Sequence, residues 1–236
     1  MKLLLTNDDG IEAPGLQALL EAAVKVGKPI VIAPARALSG CSHRVTTDQP
    51  IRVEQRHSAH YAVEGTPADC VRVALHEIAT DIDCVLSGIN AGGNLGADVH
   101  HSGTVAAVRE AVLHGRRGIA VSQYSKKGLP IDWQRAARWI VPILQDLLGR
   151  PWTGGTFWNI NLPHLEATHL DPDVVFCKLD PAPLPVSFRR DGELFHYDAN
   201  YHGRQRETGT DVDVCFRGMI AVTSIMACGP NASMSF

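Results

Sequence analysis

Short apolar runs alternate with segments of helical periodicity over the first two-thirds of the chain. The runs with the length and composition of buried strands lie at 2–6, 29–33, 83–87, 119–121 and 157–162. The segments that repeat apolar residues at helical spacing lie at 15–26, 68–78, 103–115 and 131–148. Pro142 lies inside the last of these and predicts a kink or a break. This alternation predicts an α/β fold, with a mostly parallel sheet covered by helices on both faces.

The pattern changes after Pro163. Prolines recur at short intervals, and 187–227 has short alternating runs without a convincing helix. We therefore expect a core formed by residues 1–163 and a β-rich C-terminal arm formed by 164–236, within a single domain overall.

Composition and charge limit the partners that the chain can recognise. The 236 residues carry a formal net charge of −3, so there is no basic field to attract a nucleic-acid polymer or an anionic membrane. The apolar stretches are too short for a membrane span or the core of a signal peptide. A cytoplasmic protein that captures any anionic ligand locally is the resulting expectation.

Two adjacent carboxylates, Asp8 and Asp9, follow the first predicted strand. Adjacent carboxylates repel each other unless a proton or a cation lies between them, and a hard divalent ion prefers such oxygen ligands. The alternative is an ordinary helix N-cap, where aspartate is also favoured. The pair alone does not decide between these interpretations.

Two further polar loops follow predicted strands and should converge with the first, because open parallel sheets bind ligands at the carboxyl ends of their strands. The loop after the second strand contains Ser39 and Gly40, and a turn former is the plain alternative there. The glycine-rich loop after 83–87 contains Asn90, whose carbonyl oxygen can bind a metal. It ends at 102–104, Ser-Gly-Thr, where the start of a predicted helix favours a phosphate.

Together these loops predict a site for a phosphate monoester on a divalent metal. The metal would polarise a phosphoryl oxygen and lower the pKa of a bound water, and Asp8 and Asp9 would hold it. We favour in-line attack by the activated water, while an aspartyl-phosphate intermediate stays open.

These residues occur within a series of motifs that resembles the SurE family of survival-protein nucleotidases. The matching segments, in the order of the family, are 6–11 (Thr-Asn-Asp-Asp-Gly-Ile), 33–43, 65–71 (Gly-Thr-Pro-Ala-Asp-Cys-Val), 87–98 and 102–105. The segments at 159–163 and 218–223 resemble later landmarks of the family. The resemblance covers nearly the whole chain.

The resemblance implies a Rossmann-like core and a C-terminal arm exchanged between the subunits of a homodimer or homotetramer. It implies hydrolysis of nucleoside 5′- and 3′-monophosphates, with some activity on short polyphosphates, using one Mg²⁺ or Mn²⁺ per subunit. The implied metal ligands are Asp8, Asp9, Ser39 and Asn90, the first two also being the catalytic residues. The implied phosphate contacts are Asn90, Ser102, Gly103 and Thr104. The supporting residues are Asn7, Gly40, His43, Asn94 and Asp98.

Three positions depart from the family pattern. His101 stands where a tyrosine is usual, Ala111 where a glycine is usual, and Ala35 where an acidic residue is common. None is an implied ligand, so the chemistry should persist. Substrate preference and pH optimum are less certain to follow the family, because histidines such as His100 and His101 can titrate near neutrality beside a phosphate. The plain alternative is that both are partly exposed loop residues.

Three other classes of protein compete with this interpretation. A haloacid-dehalogenase-type phosphatase requires one spacer between its two aspartates, but Asp8 and Asp9 are adjacent. A non-catalytic nucleotide- or metal-binding module on the same sheet would bind without turnover. An oligomeric scaffold would retain all its properties in an Asp8→Asn variant.

Overall fold

The computed structural model describes residues 1–126, 128–166 and 169–227. Its strands are β1 (Lys2–Thr6), β2 (Lys28–Pro34), β3 (Val53–His57), β4 (His60–Val63), β5 (Cys84–Ala91), β6 (Arg117–Gln123), β7 (Thr156–Leu162), β8 (Val174–Phe176), β9 (Phe188–Asp191), β10 (Leu194–Tyr197) and β11 (Ile220–Met226). Its α-helices are α1 (Pro14–Ala23), α2 (Pro67–Val73), α3 (Gly103–Leu113), α4 (Trp133–Gly149) and α5 (Asp211–Phe216). A π-helical turn at Ala74–Ile78 continues α2, and a 3-10 turn at Gly96–His100 precedes α3.

Nine strands form one sheet in the order β3-β4-β2-β1-β5-β6-β7-β11-β8. The pairs β4–β2, β2–β1, β1–β5, β5–β6 and β6–β7 are all parallel. The antiparallel pairs of this sheet are β3–β4 and β7–β11. Strands β9 and β10 form a separate antiparallel hairpin. The predicted α/β class with a mostly parallel sheet and a β-rich C-terminal segment is confirmed.

The alternation of side chains along β1 explains why helices cover both faces of the sheet. Leu3 and Leu5 belong to the buried cluster that contains the apolar faces of α1 and α4. Leu4 points the other way, into the cluster that includes residues of α2 and α3. Because all three leucines are fully buried, β1 lies in the middle of the core and its carboxyl end is fixed from both sides.

Helix α4 runs from Trp133 to Gly149 without a break, with Pro142 inside it. Of the two outcomes expected at Pro142, a kink or a break, the break does not occur. The apolar stripe of Ile140, Ile143, Leu144 and Leu147 is buried against α1 and the sheet. This packing compensates for the backbone hydrogen bond that proline removes.

The expectation of no helix within 187–227 is also wrong, because α5 forms at Asp211–Phe216. The sequence of α5 alternates acidic and apolar residues, which is a strand-like pattern. Tertiary contacts outweigh that pattern: the buried carboxylate of Asp211 accepts hydrogen bonds from the amides of Gly96 and Asp180. The C-terminal segment also returns to the central sheet, where β11 pairs with β7 and β8.

The hairpin formed by β3 and β4 had no counterpart in the apolar pattern, since Val53–His57 is almost entirely polar and exposed. It extends the sheet beyond β2 through the parallel pairing of β4. Among the described residues, no helix combines the length and apolar character that crossing a membrane requires.

Candidate active site

The carboxylate of Asp8 is buried directly beyond the carboxyl end of β1. Asp8 is only 4% exposed, and its Oδ1 atom accepts a hydrogen bond from Thr104 Oγ1 at 2.5 Å. Burial raises the pKa of Asp8 above its usual range, the hydrogen bond from Thr104 lowers it, and the charge of Asp9 raises it further. A negative charge at this position is therefore unfavourable until a cation compensates it.

Asp9 connects the end of β1 with the end of β5. Its Oδ2 atom accepts a hydrogen bond from the Ala91 amide at 3.0 Å. Beside it, Asn90 Nδ2 donates to the Gly92 carbonyl at 2.8 Å. Since this bond uses the amide nitrogen of Asn90, its carbonyl oxygen is the atom that can bind a cation. Neighbouring parallel strands thus bring both acidic residues and the asparagine to one edge of the sheet.

The loop after β2 packs tightly on the Asp8–Gly10 turn. The Leu38 amide donates to the carbonyl of Asp8 at 2.7 Å, which places Ser39 next to the two aspartates. Gly10 has φ of +99°, and a Cβ atom there would lie 3.1 Å from the carbonyl carbon of Arg36. A side chain at position 10 would thus both strain the backbone and push this loop away.

The first turn of α3 closes the site on the remaining side. Ser102 is the N-cap of α3, and its hydroxyl accepts a hydrogen bond from the Val105 amide at 3.0 Å. A Cβ atom on Gly103 would lie 2.8 Å from Asp8 Cβ, so only glycine allows this close approach. The Val105 amide is used by this cap and the Thr104 amide bonds to Asp8, so the Gly103 amide and the helix dipole remain to favour a phosphate beside Asp8.

These elements enclose a shallow cavity of about 250 Å³. Its lining includes the predicted residues Asp8, Asp9, Ser39, Gly40, Asn90, Asn94, Asp98 and Ser102, together with Ala91, Gly93 and His101. The other predicted residues, Asn7, His43, Gly103 and Thr104, are not part of this lining. The contacts of these four residues place them behind the cavity wall.

Asn7 and His43 hold the loops rather than the cavity wall. Asn7 closes the turn after β1 through hydrogen bonds with both the amide and the carbonyl of Gly10. His43 Nε2 lies 2.7 Å from Oε2 of Glu110, a buried residue on α3. This contact joins the Ser39 loop to the helix whose first turn faces the cavity.

Asn94 is anchored from below by the neighbouring strands. The backbone amide of Asn94 donates to Asn161 Oδ1 at 2.8 Å, and its side-chain Nδ2 atom donates to Ser122 Oγ at 2.7 Å. Its carbonyl accepts from the side chains of both Asn159 and Asn161. The Asn-x-Asn sequence of β7 therefore fixes the glycine-rich loop.

Asp98 is held by two residues of the C-terminal segment that were not assigned to the site from the sequence. Its Oδ2 atom accepts from Tyr201 Oη at 2.5 Å and from Arg204 Nη1 at 3.3 Å. Arg204 is only 6% exposed, and its second nitrogen donates to the Leu95 carbonyl. Burial, together with the charge of Asp98, raises the pKa of Tyr201. No local signal predicts this cluster, because about a hundred residues separate Asp98 from Tyr201 and Arg204.

The donor set of the cavity fits a hard divalent cation. It offers the two carboxylates of Asp8 and Asp9, the hydroxyl of Ser39 and the amide oxygen of Asn90, all of them oxygen ligands. Within the described ranges, no group of three or more histidine, cysteine, aspartate or glutamate side chains could hold a metal. A site with two acidic residues and neutral oxygen donors suits a hard cation better than a metal that prefers nitrogen or sulfur.

Comparison with known proteins agrees with the motif series. Residues 3–181 match the family model described as Survival protein SurE. The chain belongs to the SurE family. A crystal structure of SurE protein from Aquifex aeolicus superimposes with a TM-score of 0.86 at 31% identity, covering 98% of this chain and 95% of that one.

Two relatives align with nearly all of the chain. The 5′-nucleotidase SurE of Geobacter sulfurreducens is 36% identical over 238 residues, covering 95% of this chain and 87% of the relative. A protein of Nostoc sp., whose name gives 5′-nucleotidase activity as provisional, is 52% identical over 225 residues. That alignment covers 95% of this chain and 99% of the Nostoc protein.

Proposed function

We propose that this protein hydrolyses nucleoside 5′-monophosphates to nucleoside and phosphate with one divalent metal ion, Mg²⁺ or Mn²⁺, per subunit. Its membership of the SurE family and its relatives named as 5′-nucleotidases assign it to the 5′-nucleotidase class of phosphoric monoester hydrolases. The observation that carries the proposal is the buried Asp8 carboxylate. It lies beside a second carboxylate and against the first turn of α3.

Asp8, Asp9, Ser39 and Asn90 would hold the metal. When bound, a divalent ion polarises a phosphoryl oxygen and lowers the pKa of water. The amides at the start of α3 would hold the phosphate oxygens, with Ser102, Gly103 and Thr104 forming that turn. Asn90 would contact the same phosphate.

The two aspartates have different surroundings and would do different work. Thr104 donates to Asp8, and this bond would orient the carboxylate towards the metal. Asp9 is less buried than Asp8 and its Oδ2 atom accepts from the Ala91 amide. Of the two carboxylates, Asp9 is therefore the one that would accept a proton from the attacking water. In-line attack then places water and leaving group on opposite sides of phosphorus.

We extend the proposal to nucleoside 3′-monophosphates, because the cavity is shallow and open and would accept a phosphate on either end of the sugar. The five described cysteines are free thiols, which supports a cytoplasmic location.

We also propose that residues 164–236 act as an oligomerisation arm of a homodimer or homotetramer. The hairpin β9–β10 supports this, because an isolated two-stranded hairpin is marginally stable in water. Its apolar side chains Phe188, Leu194, Phe195 and Tyr197 are between 56% and 64% exposed. Packing against a second copy would bury them. Light scattering should therefore give more than one subunit for the native chain and a smaller assembly for Phe195→Asp.

The test of the activity is phosphate release from a panel of nucleoside 5′- and 3′-monophosphates. The assay compares EDTA, Mg²⁺ and Mn²⁺, with wild type, Asp8→Asn and the exposed control Asp173→Asn. We expect metal-dependent release that Asp8→Asn abolishes and Asp173→Asn retains. Absence of release by folded wild type under every metal would contradict the proposal and favour a module that binds nucleotide without turnover.

A further inference from the structure

A second, larger cavity lies beside the candidate active site and has no role in the chemistry described above. Its volume is about 530 Å³, which is within the usual range for small-ligand sites. It opens between three segments, formed by 35–38, 44–50 and 63–66. The first of these follows β2 and the last follows β4, so the cavity lies at the same sheet edge as Asp8 and Asp9.

One segment of backbone separates the two cavities. Leu38 lines the larger cavity, and its neighbour Ser39 lines the smaller one. The Leu38 amide is also bonded to the carbonyl of Asp8 at 2.7 Å. A substrate whose phosphate lies at the first turn of α3 therefore has this cavity next to it.

The charged lining of the larger cavity is predominantly positive. Arg36 and Arg44 face it, against the single carboxylate of Glu64. Within the described part of the chain, neither arginine forms a salt bridge, including with Glu64. Two guanidinium groups without carboxylate partners at one cavity favour an anion, and the planar fork of arginine matches the oxygens of a phosphate.

The wall that carries Arg44 is rigidly built. Asp69, which is 1% exposed, accepts hydrogen bonds from Thr46 N at 2.8 Å, Thr46 Oγ1 at 2.7 Å and Thr66 N at 2.9 Å. Thr66 Oγ1 in turn donates to the carbonyl of Arg44 at 2.6 Å. The Gly-Thr-Pro-Ala-Asp motif at 65–69 thus holds the 44–46 segment against the start of α2.

The lining of this cavity argues against a site for a nucleobase. None of its residues is aromatic, so no ring is present on which a base could stack. Its polar groups, which include Thr46 and Gln49, are hydrogen-bonding side chains suited to phosphate or sugar oxygens.

We propose that the Arg36–Arg44 cavity binds a second phosphate group carried by the nucleotide substrate. The inference rests on the proposed function for the location of the first phosphate. The protein then prefers nucleotides with two phosphates to nucleoside monophosphates. The second phosphate is either on the sugar, as in a nucleoside 3′,5′-bisphosphate, or attached to the first, as in a nucleoside 5′-diphosphate.

Calorimetry tests the subsite without requiring turnover. A nucleoside 5′-monophosphate, its 3′,5′-bisphosphate and its 5′-diphosphate are titrated in EDTA into wild type, the double variant Arg36→Gln/Arg44→Gln, and the control Arg138→Gln, an exposed arginine on α4. We expect wild type and control to bind one of the two-phosphate nucleotides about tenfold or more tightly than the monophosphate. The double variant should lose that difference, and the nucleotide affected identifies where the second phosphate is attached.

Kinetics with Mg²⁺ separates failure of this inference from failure of the proposed function. The double variant should consume the monophosphate at the wild-type rate, while kcat/KM for the preferred two-phosphate nucleotide falls about tenfold. Equal affinities of all three nucleotides for wild type, or equal losses for all three in the double variant, would overturn the subsite. Failure of wild type to hydrolyse the monophosphate would instead overturn the proposed function, and the calorimetry would still decide the subsite.

Discussion

Replacing Asp8 by asparagine should stabilise the metal-free protein while removing its response to metal. The substitution keeps the size of the side chain and an oxygen that can accept from Thr104, but it removes a buried charge next to Asp9. In wild type without metal, that charge has no compensating cation. A charged side chain that is buried in order to bind a metal lowers the stability of the protein until the metal binds.

The pH dependence follows from the direction of the pKa. Because the folded pKa of Asp8 is raised above its unfolded value of 3.8, its contribution to stability is fully present below that value. The contribution is lost as pH rises through the folded pKa. In EDTA, the advantage of Asp8→Asn over wild type should therefore be absent in acid and grow towards neutral pH.

In the presence of metal, wild type should be more stable than Asp8→Asn. A ligand present at 100 times its Kd stabilises the folded state by about 2.7 kcal/mol. For a chain of this size, 1 kcal/mol changes Tm by about 2–4 °C, so Mg²⁺ or Mn²⁺ should raise the wild-type Tm by about 5–11 °C. Asp8→Asn should show little or none of this increase.

The assay is thermal unfolding at several pH values, in EDTA and in metal, with the exposed Asp173→Asn as the matched control. The control should follow wild type under all conditions. A metal-dependent rise in Tm that persists in Asp8→Asn would refute the assignment of Asp8 as a ligand. A lower Tm for Asp8→Asn than for wild type at neutral pH in EDTA would refute the argument from its buried charge.

Three further substitutions test the contacts behind the cavity. Thr104→Val removes the hydrogen bond to Asp8, which is worth about 1.5–3 kcal/mol for a charged partner. We therefore expect kcat/KM to fall by about 10- to 100-fold. Unchanged kinetics would show that this bond does not orient the carboxylate. Gly103→Ala places a Cβ atom 2.8 Å from Asp8 Cβ, which should lower the free energy of unfolding by about 1–3 kcal/mol and remove most of the phosphate release. A wild-type Tm and a wild-type rate would contradict this close approach. Burial alone would raise the pKa of Glu110, but hydrogen bonds, including that with His43, lower it overall. The stabilisation from this carboxylate is therefore present above its unfolded pKa of 4.5 and is lost as pH falls through the lower folded value. Glu110→Gln should therefore lower Tm at neutral pH by a few degrees and converge with wild type below about pH 4; an equal deficit at all pH values would exclude this electrostatic origin.

The strands of the parallel core other than β4, namely β1, β2, β5, β6 and β7, and the convergence of the loops after them were predictable because they depend on local patterns. Runs such as Leu3–Leu5 mark buried strands, and the carboxyl ends of parallel strands necessarily meet at one edge. The short helix α5 was not predictable, because contacts from Gly96 and Asp180 to Asp211 outweigh its strand-like alternation.

The hydrogen bonds behind the cavity could not be predicted from the sequence either. Thr104 fits a helix start that binds phosphate, and nothing in its neighbourhood indicates that its hydroxyl is used on Asp8. The arrangement of Tyr201 and Arg204 around Asp98 joins segments about a hundred residues apart. Such pairings are set by the packing of the C-terminal segment onto the sheet, which periodicity does not specify.

The most direct test of the account is the location of the metal itself. Crystals soaked in Mn²⁺ and a nucleoside 5′-monophosphate would be measured at a wavelength where manganese scatters anomalously. We predict one anomalous peak per subunit in contact with Asp8, Asp9, Ser39 and Asn90, with the phosphate beside it at the first turn of α3. A peak elsewhere, or a phosphate bound away from that turn in protein with metal-dependent activity, would contradict the account.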